Sequence, residues 1–306
     1  MNESKPLENL VFEGGGVKGI AYAGAIHSLK KHSLLNKVKR VAGTSAGAST
    51  AMLVSMHCTP EEVKDIVQGT KFSSFEDRFN PFRIPFRYGL FKGRKLLNWL
   101  KSAIKQKGYD PESTFEDFKN AGCLELRVFA CNLNKKDAIE FSYRKTPTVK
   151  VAEAVRASMG APLFFAAWQF PDGNPDNDIY VDGGTVLNYP FTAFDKSSYE
   201  NTVGFHLDDH EHGNRHNDLK FRKLGHYIKY LFDALLYAQT IVFKHNSRQV
   251  AHSVMIDDFG ISASDFKLTK KDQHNLYESG ISCTDQYIKE HNLVDEFGGA
   301  HPDTSS

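Results

Sequence analysis

Two glycine-rich turns near the beginning of the sequence limit what this chain can fold into more than any other feature. The first turn spans residues 13–19 and reads EGGGVKG, and the second spans residues 43–47 and reads GTSAG. Each turn follows a short apolar run and precedes a stretch with helical character. Strand, turn and helix in succession are typical of an α/β protein with a largely parallel sheet.

The second turn has the spacing of a nucleophile elbow, G-x-S-x-G, with Ser45 at its centre. In such an elbow the small residues Gly43 and Gly47 let the chain turn sharply and present the serine hydroxyl above a sheet. The same five-residue pattern also occurs as an ordinary strand-to-helix turn. A strand before it and a buried helix after it, both predicted from the apolar pattern, favour Ser45 as a nucleophile for acyl transfer.

The first turn fits an oxyanion hole. A serine that attacks a carbonyl needs backbone N–H groups aimed at the oxygen that becomes negative, and consecutive glycines let the main chain approach without obstruction. The candidate residues are Gly14, Gly15, Gly16, Val17, Lys18 and Gly19.

The same turn also matches the dinucleotide-binding fingerprint G-x-G-x-x-G, from Gly14 to Gly19. That fingerprint expects an acidic residue about 20 positions later to hold the ribose, but no Asp or Glu lies between Gly14 and Pro60. The phosphate-binding pattern G-x-x-x-x-G-K-[ST] has no match in the chain. Nicotinamide and phosphate-loop sites are therefore disfavoured.

A serine nucleophile needs a base, and Asp182 is the next acid marked by glycines. It ends the run Ile179–Val181 and enters a turn formed by Gly183 and Gly184. Strand ends often carry reactive groups, although Asp-Gly-Gly is also an ordinary turn sequence.

Together these motifs resemble those of the patatin-like phospholipases, which are lipid acyl hydrolases with a Ser–Asp dyad. Four elements carry the resemblance, in this order: GGGVKG at 14–19, GTSAG at 43–47, ASMGAP at 157–162 with two phenylalanines after it, and DGG at 182–184 followed by Asn188 and Pro190. Their order and wide spacing are more specific than any one motif. The resemblance extends from about Leu10 to Asn292, and Glu13 departs from it, because the family often has Asp or Ser there.

The resemblance implies an α/β fold of the three-layer α/β/α patatin-like type, with a mostly parallel central sheet and a helical lid-like insertion at about residues 59–109. It implies Ser45 as nucleophile, Asp182 as base and the turn from Gly14 to Gly19 as oxyanion hole, with no metal or other cofactor. The implied reaction is hydrolysis of phospholipid or lysophospholipid esters, of phospholipase A type, through an acyl-enzyme.

Two alternatives stay open at the level of the sequence. A catalytically idle protein would use the scaffold to bind lipid or a regulatory partner, but the intact set of motifs favours an enzyme. A Ser-His-Asp triad would take its histidine from those after Asp182, which are His206, His210, His212, His216, His226, His245, His252, His274, His291 and His301. The histidine-rich segment 206–216 matches no metal-binding spacing and is predicted to be a solvated polar loop, except that His206 lies in a run with the alternation of a strand, Thr202–Leu207.

The apolar pattern also predicts the surrounding elements. Predicted strands are Leu10–Phe12, Val38–Val41, Leu126–Cys131, Ile139–Ser142, Tyr180–Val181, Thr202–Leu207 and Met255–Ile256. Predicted helices run from Val17 to about Lys31, from Ala46 to Met56, and from after Asp218 to about His245. This alternation predicts a central sheet covered on both faces.

Length and composition predict one catalytic domain. The 306 residues are 41% hydrophobic and 12% aromatic, enough for a large core, and no low-complexity linker divides them. We expect the domain to span residues 10–295, between an N-terminal tail at 1–9 and a flexible C-terminal tail at 296–306. Few cysteines and the lack of signal-peptide or membrane-spanning patterns favour a cytoplasmic protein, peripheral at membranes, with delivery into a host cell still compatible.

The net charge of +1 hides an uneven distribution. Residues 78–109 contain no acid, and their basic and aromatic residues alternate. This pattern fits a surface that meets anionic lipid headgroups, or an amphipathic helix with Leu96, Leu97, Leu100 and Ile104 on its core face. The expected partners are a phospholipid membrane surface and a protein or small-molecule activator, but not nucleic acid, because no binding motif accompanies the basic residues.

Overall fold

The computed structural model describes residues 7–70, 72–75, 82, 84–208, 224–265 and 268–293. The expected C-terminal tail at 296–306 lies outside these ranges, as do His210, His212, His216 and His301. The predicted start of the catalytic domain falls inside the first strand, which begins at Asn9, and Leu7 before it is buried.

The strands follow the predicted order, with two short additions. They are β1 (Asn9–Phe12), β2 (Arg40–Thr44), β3 (Gly89–Phe91), β4 (Glu125–Asn132), β5 (Asp137–Phe141), β6 (Leu163–Phe165), β7 (Tyr180–Asp182), β8 (Thr202–Asp208) and β9 (Ser253–Asp257). The second strand begins two residues later than predicted, because the N–H of Val38 still donates to the carbonyl of Leu35 in the preceding 3-10 turn.

The helices include both buried and solvent-facing examples. They are α1 (Ile20–Lys31), α2 (Ala46–Ser55), α3 (Pro60–Gln68), α4 (Ile84–Arg87), α5 (Arg94–Gln106), α6 (Phe115–Asn120), α7 (Val151–Ser158), α8 (Leu224–Lys244), α9 (Ser247–Ala251) and α10 (Lys270–Glu290). A 3-10 turn at Gly16–Gly19 precedes α1, in place of the first turn of the predicted helix.

The main sheet is mixed but mostly parallel, as the sequence predicts. Its strand order is β5-β4-β2-β1-β8-β9, with β7 also paired to β4. Strands β2 and β4 lie on one side of β1, and strands β8 and β9, which come later in the chain, lie on its other side. The sheet order therefore reverses at β1. In open α/β sheets the carboxyl ends of strands at such a point form a crevice that commonly binds ligands.

The antiparallel strand β7 brings a distant part of the chain to this same edge. The first half of β4 pairs with β2, up to Thr44 opposite Phe129, and its second half pairs with β7, where Asp182 lies opposite Ala130. Strand β7 runs against β4, so its last residue arrives next to the last residue of β2. The register of two strands on β4 thus places Ser45 and Asp182 side by side.

Side chains on the two faces of the sheet enter separate cores, as strand alternation requires. Leu10 and Phe12 of β1 join the large core beneath α1, α2 and α10, whereas Val11 joins a smaller one with Ala42 and Phe194. The second face is covered by residues 187–201, which include 3-10 turns at Phe191–Ala193 and Lys196–Asn201. The expected α/β architecture is confirmed.

The segment predicted to be lid-like, residues 59–109, is tied to the body of the protein at both ends. Val63 and Val67 of α3, and Leu100 and Ile104 of α5, belong to the large core. Its middle part forms a second apolar cluster with the two-stranded sheet β3-β6 and with Ile228 of α8. Within the described ranges, no helix combines the length and apolar character that a bilayer span requires.

Candidate active site

Ser45 occupies the turn between β2 and α2 with a backbone conformation that serine rarely adopts. Its φ is 52° and its ψ is −122°, a strained combination that fits a nucleophile elbow. Glycine is needed on both sides, because a Cβ on Gly43 would lie 2.3 Å from the carbonyl carbon of Gly47. Ser158 fixes the turn by accepting the N–H of Ser45 at 2.8 Å and donating to the carbonyl of Phe129.

The hydroxyl of Ser45 donates to Oδ2 of Asp182 at 2.8 Å. The other carboxylate oxygen accepts the N–H of Gly184, also at 2.8 Å. Asp182 is 1% exposed, while Ser45 is only half-buried. The pair therefore offers its hydroxyl to solvent and keeps its carboxylate inside.

Burial raises the pKa of Asp182 to about 7, although the N–H of Gly184, the hydroxyl of Ser45 and the positive charge of Arg156 each lower it. A proton acceptor works best when its pKa lies near the operating pH. Asp182 is thereby matched to accept a proton at neutral pH.

Arg156 supplies the positive charge from beneath the site. It is fully buried, and its guanidinium donates to the carbonyls of Gly93, Lys92 and Ala166. These bonds join α7 to the loops around the β3-β6 sheet. Arg156 thus links the small sheet to the carboxylate, and its charge partly offsets the effect of burial on the pKa of Asp182.

The glycine-rich first turn lies beside the serine, since a Cβ on Gly14 would sit 3.3 Å from Cβ of Ser45. Three of its N–H groups are already used, because Gly14 donates to Asn188, Val17 to Ala263 and Lys18 to Gly15. Within the described part of the chain, no acceptor lies within bonding distance of the N–H groups of Gly15 and Gly16. Gly16 has φ +55° and, like Ser45, is half-buried.

Asn188 holds this first turn against the turn that follows Asp182. Its side-chain amide donates to Oε1 of Glu13 at 2.8 Å and to the carbonyl of Gly14 at 3.1 Å. The backbone carbonyl of Asn188 accepts the N–H of Gly14. The other oxygen of Glu13 accepts the N–H of Leu207 and lies 2.9 Å from Nδ1 of the buried His206. Both turns are thus fixed to β8.

Helix α8 reaches the same turn through Gln239. The amide of Gln239 donates to the carbonyl of Gly184 at 2.5 Å, and its oxygen accepts the N–H of Asn188 at 2.7 Å. One side chain of α8 therefore bonds to residues on both ends of the loop after Asp182.

The sequence profile of the patatin-like phospholipases matches residues 10–195. The chain belongs to this family. A protein of Invertebrate iridescent virus 6, described as a probable lipid hydrolase, is 27% identical over 61% of this chain and 62% of its own length. YqhO of Bacillus subtilis, described as uncharacterized, is 29% identical over 92% of this chain and 97% of its own. Family membership and the viral relative together support a lipid hydrolase.

Solved structures agree with the patatin-like fold. VipD from Legionella pneumophila superposes with a TM-score of 0.61 at 15% identity, over 94% of this chain and 68% of VipD. The type III effector ExoU gives a TM-score of 0.52 at 14% identity, over 95% of this chain and 54% of ExoU. These likenesses concern the fold alone, and they confirm the predicted three-layer patatin-like architecture.

Among the described histidines of this patatin-like chain, none hydrogen-bonds to Ser45 or Asp182. His206 is buried on β8 beside Glu13, while His245 and His274 are exposed. His252 is half-buried near β9, and burial lowers its pKa. The geometry around the serine thus brings together Asp182 and the glycine turn, with no described imidazole between them.

Several residues of the site escaped the sequence reasoning. Ser158 and Asn188 stand in motifs that matched the patatin-like family, but their contacts were not foreseen. Arg156 and Gln239 carried no local signal, because a buried arginine and a helical glutamine acquire their partners only through packing. The position of Ser158 and Asn188, polar residues in or next to the matched motifs, is the sequence feature that could have indicated their part in the site.

Replacing Asn188 with alanine is expected to destabilise the fold by about 2–4 kcal/mol, because the carboxyl group of Glu13 and the carbonyl of Gly14 each lose a buried donor. Asn188→Asp should be worse, since it sets a second carboxyl group against Glu13. Urea unfolding of the two variants beside wild type measures this order. Equal stability of all three proteins would show that the Asn188 bonds do not hold the turn.

Proposed function

We propose that the protein is a serine-dependent acyl hydrolase that cleaves phospholipid or lysophospholipid esters, in the manner of a phospholipase A. Ser45 is the nucleophile, Asp182 is the base, and the N–H groups of Gly15 and Gly16 form the oxyanion hole. The single observation that carries this proposal is the 2.8 Å bond from the strained Ser45 to a buried carboxylate. A serine in this elbow, bonded to a group with a pKa of about 7, is prepared to lose its proton.

In the first half of the reaction Asp182 takes the hydroxyl proton while Oγ of Ser45 bonds to the ester carbonyl carbon. Negative charge then develops on the carbonyl oxygen, next to the N–H groups of the glycine turn and the positive end of α2. When this intermediate collapses, the ester bond breaks and Asp182 returns its proton to the leaving alcohol. The fatty acyl group stays on Ser45.

The second half releases the acyl group with water. Asp182 accepts a proton from the water as its oxygen attacks the acyl carbon, and then gives that proton back to Oγ of Ser45. The products are a free fatty acid and the restored dyad. Asp182 accepts and returns the transferred proton in each half of the cycle, and the proposed scheme includes no metal or other cofactor.

The pH dependence of hydrolysis tests the role of Asp182. Only the ionised carboxylate accepts a proton, so kcat/KM should be constant above pH 7 and fall about tenfold for each pH unit below it. A short-chain nitrophenyl ester, which does not ionise in this range, is the suitable substrate. A profile that stays flat across neutral pH would contradict the assignment of Asp182 as base.

We place this activity at the surface of a membrane, in a protein that is otherwise cytoplasmic. The support for lipid as substrate is family membership together with the viral probable lipid hydrolase. A protein activator and delivery into a host cell belong to the same proposal, prompted by ExoU, which was solved in complex with SpcU from a type III secretion system.

A further inference from the structure

Helix α8 presents an apolar surface to solvent. Six of its large apolar side chains are between 40% and 72% exposed, and we call them the α8 stripe: Tyr227, Leu231, Leu235, Tyr237, Ile241 and Val242. Their spacing keeps them on one side of the helix over about four turns. Soluble proteins seldom leave so long an apolar surface uncovered, and where they do it commonly marks a binding surface.

The opposite side of α8 is attached to the protein. Ile228 and Phe243 are buried, and the ring of Phe243 packs against His206. Asp233 turns inward, where its carboxylate accepts the hydroxyls of Ser262 and Ser264. The distribution of side chains on this helix is therefore unusual. Apolar residues face solvent, and the acidic Asp233 faces the protein together with Ile228 and Phe243.

The apolar surface continues beyond the first turn of α8. Ile228 packs in the same cluster as Ile84 of α4, and the neighbours of Ile84 are highly exposed aromatics: Phe82 at 86%, Phe86 at 80% and Tyr88 at 51%. Aromatic rings of this kind favour the boundary between headgroups and acyl chains.

The charge around this surface is positive. Exposed basic residues lie close in sequence to Leu90, Phe91 and Leu96 of the same cluster: Arg87, Lys92, Arg94 and Lys95. The sequence from 78 to 109 contains no acidic residue. Basic groups beside an apolar stripe complement the anionic headgroups of a phospholipid surface, whereas a dry protein partner would leave these charges buried without counter-ions.

The helix that carries the stripe lies next to the dyad. Gln239, on α8, bonds to the carbonyl of Gly184, two residues from Asp182. Val186, in the same loop, is 40% exposed. A membrane in contact with the stripe would therefore be separated from the loop after Asp182 by the thickness of one helix.

We propose that the α8 stripe, together with the exposed aromatics at 82–88, inserts into the headgroup region of an anionic phospholipid membrane and holds the active site at its surface. The 21 residues of α8 make a helix about 30 Å long that lies flat in the interface. Membrane binding follows from the surface itself. That the bound lipid is also the substrate rests on the proposed function.

Vesicle flotation of the Ser45→Ala protein tests the docking without hydrolysis of the lipid. The triple variant Leu231→Ser, Leu235→Ser, Val242→Ser should bind vesicles of phosphatidylcholine mixed with phosphatidylglycerol on the order of a hundredfold more weakly. The matched control is Leu133→Ser, which removes an equally exposed leucine from the turn between β4 and β5. Unchanged binding of the triple variant would overturn the proposal.

A second experiment tests the part played by charge. It compares the double variant Arg87→Ser, Lys92→Ser with the single variant Lys271→Ser, which removes an exposed lysine from α10. The pair on the proposed surface should weaken binding to the mixed vesicles about tenfold, and should hardly affect binding to phosphatidylcholine alone. Equal effects of both changes would show that charge near α8 has no special part in docking.

Two further readouts separate docking from catalysis. With Ser45 present, the triple variant should hydrolyse a soluble short-chain ester as fast as wild type does, while its hydrolysis of vesicle lipid falls with binding. Vesicle binding without any ester hydrolysis would end the proposed function and leave docking intact. A stable dimer that the triple substitution dissociates, with vesicle binding unchanged, would assign the stripe to a second copy of the chain.

Discussion

Replacing Asp182 with asparagine is expected to abolish ester hydrolysis and, at the same time, to stabilise the folded protein at neutral and alkaline pH. Asparagine has nearly the same shape, so its oxygen still accepts the N–H of Gly184. It cannot take the proton of Ser45, so the rate should fall by about 10⁴-fold or more. Initial rates with a soluble ester measure the loss.

The gain in stability follows from the pKa. In the folded protein Asp182 has a pKa of about 7, against an ordinary value of 3.8. Between these two pH values the folded chain keeps a proton that the unfolded chain releases, so stability decreases as pH rises and levels off above pH 7. The ionised carboxylate then destabilises the fold by roughly 4 kcal/mol, an effect that asparagine removes.

Thermal unfolding of the variant and wild type at several pH values measures this gain. The difference in melting temperature should be several degrees above pH 7 and should shrink as pH falls toward 4. Asp65→Asn, on the exposed face of α3, is the matched control and should change little at any pH. An Asp182→Asn protein that is less stable than wild type at alkaline pH would contradict the conclusion that burial of the ionised Asp182 carboxylate destabilises the fold.

Removing the hydroxyl of Ser45 should be equally severe for catalysis. Ser45→Ala is expected to lower kcat/KM by about 10⁴–10⁶-fold, because both the nucleophile and the covalent intermediate disappear. Ser49→Ala makes the same chemical change four residues later on α2, where the hydroxyl donates to the carbonyl of Ala46, and should retain activity. An organophosphorus inhibitor should label wild type at Ser45 and leave the Ser45→Ala protein unlabelled, as peptide mass spectrometry can show.

The triad alternative makes the opposite prediction for the base. If one of the later histidines were the proton acceptor, its alanine variant would lose all activity while Asp182→Asn kept it. His206 is the instructive case, because it is buried close to the glycine turn through Glu13. We expect a His206→Ala protein to be less stable than wild type. The pH dependence of its remaining activity should still follow the pKa of Asp182.

The sequence predicted the parts of the fold that depend on local pattern. Strands β1 and β8 and helix α2 each have a recognisable apolar pattern, and their positions are confirmed within a residue or two. Strands β3 and β6 have only three residues each and no alternation to detect, so their pairing was missed. The antiparallel course of β7 was missed for a different reason, because its register on β4 links residues far apart in the chain.

The same division holds for the candidate site. Ser45 and Asp182 were named because each sits in a glycine turn of recognisable spacing, and their joint position remained a prediction until strand register was known. Only the structure shows which N–H groups of the first turn are already used, since Asn188 and Ala263 approach it from other elements. The contact of Gln239 with Gly184 depends on the docking of a whole helix, and no short stretch of sequence encodes it.

The shared partner strand β4 has a consequence for copies of this chain that fold wrongly. Successive residues of a strand point to opposite faces, so a slip of one residue between β7 and β4 would turn the carboxylate of Asp182 away from Ser45. A misassembled chain is therefore chemically silent. On the proposed function, the capacity to attack an ester arises only in a chain whose β7 has paired with β4 in the correct register.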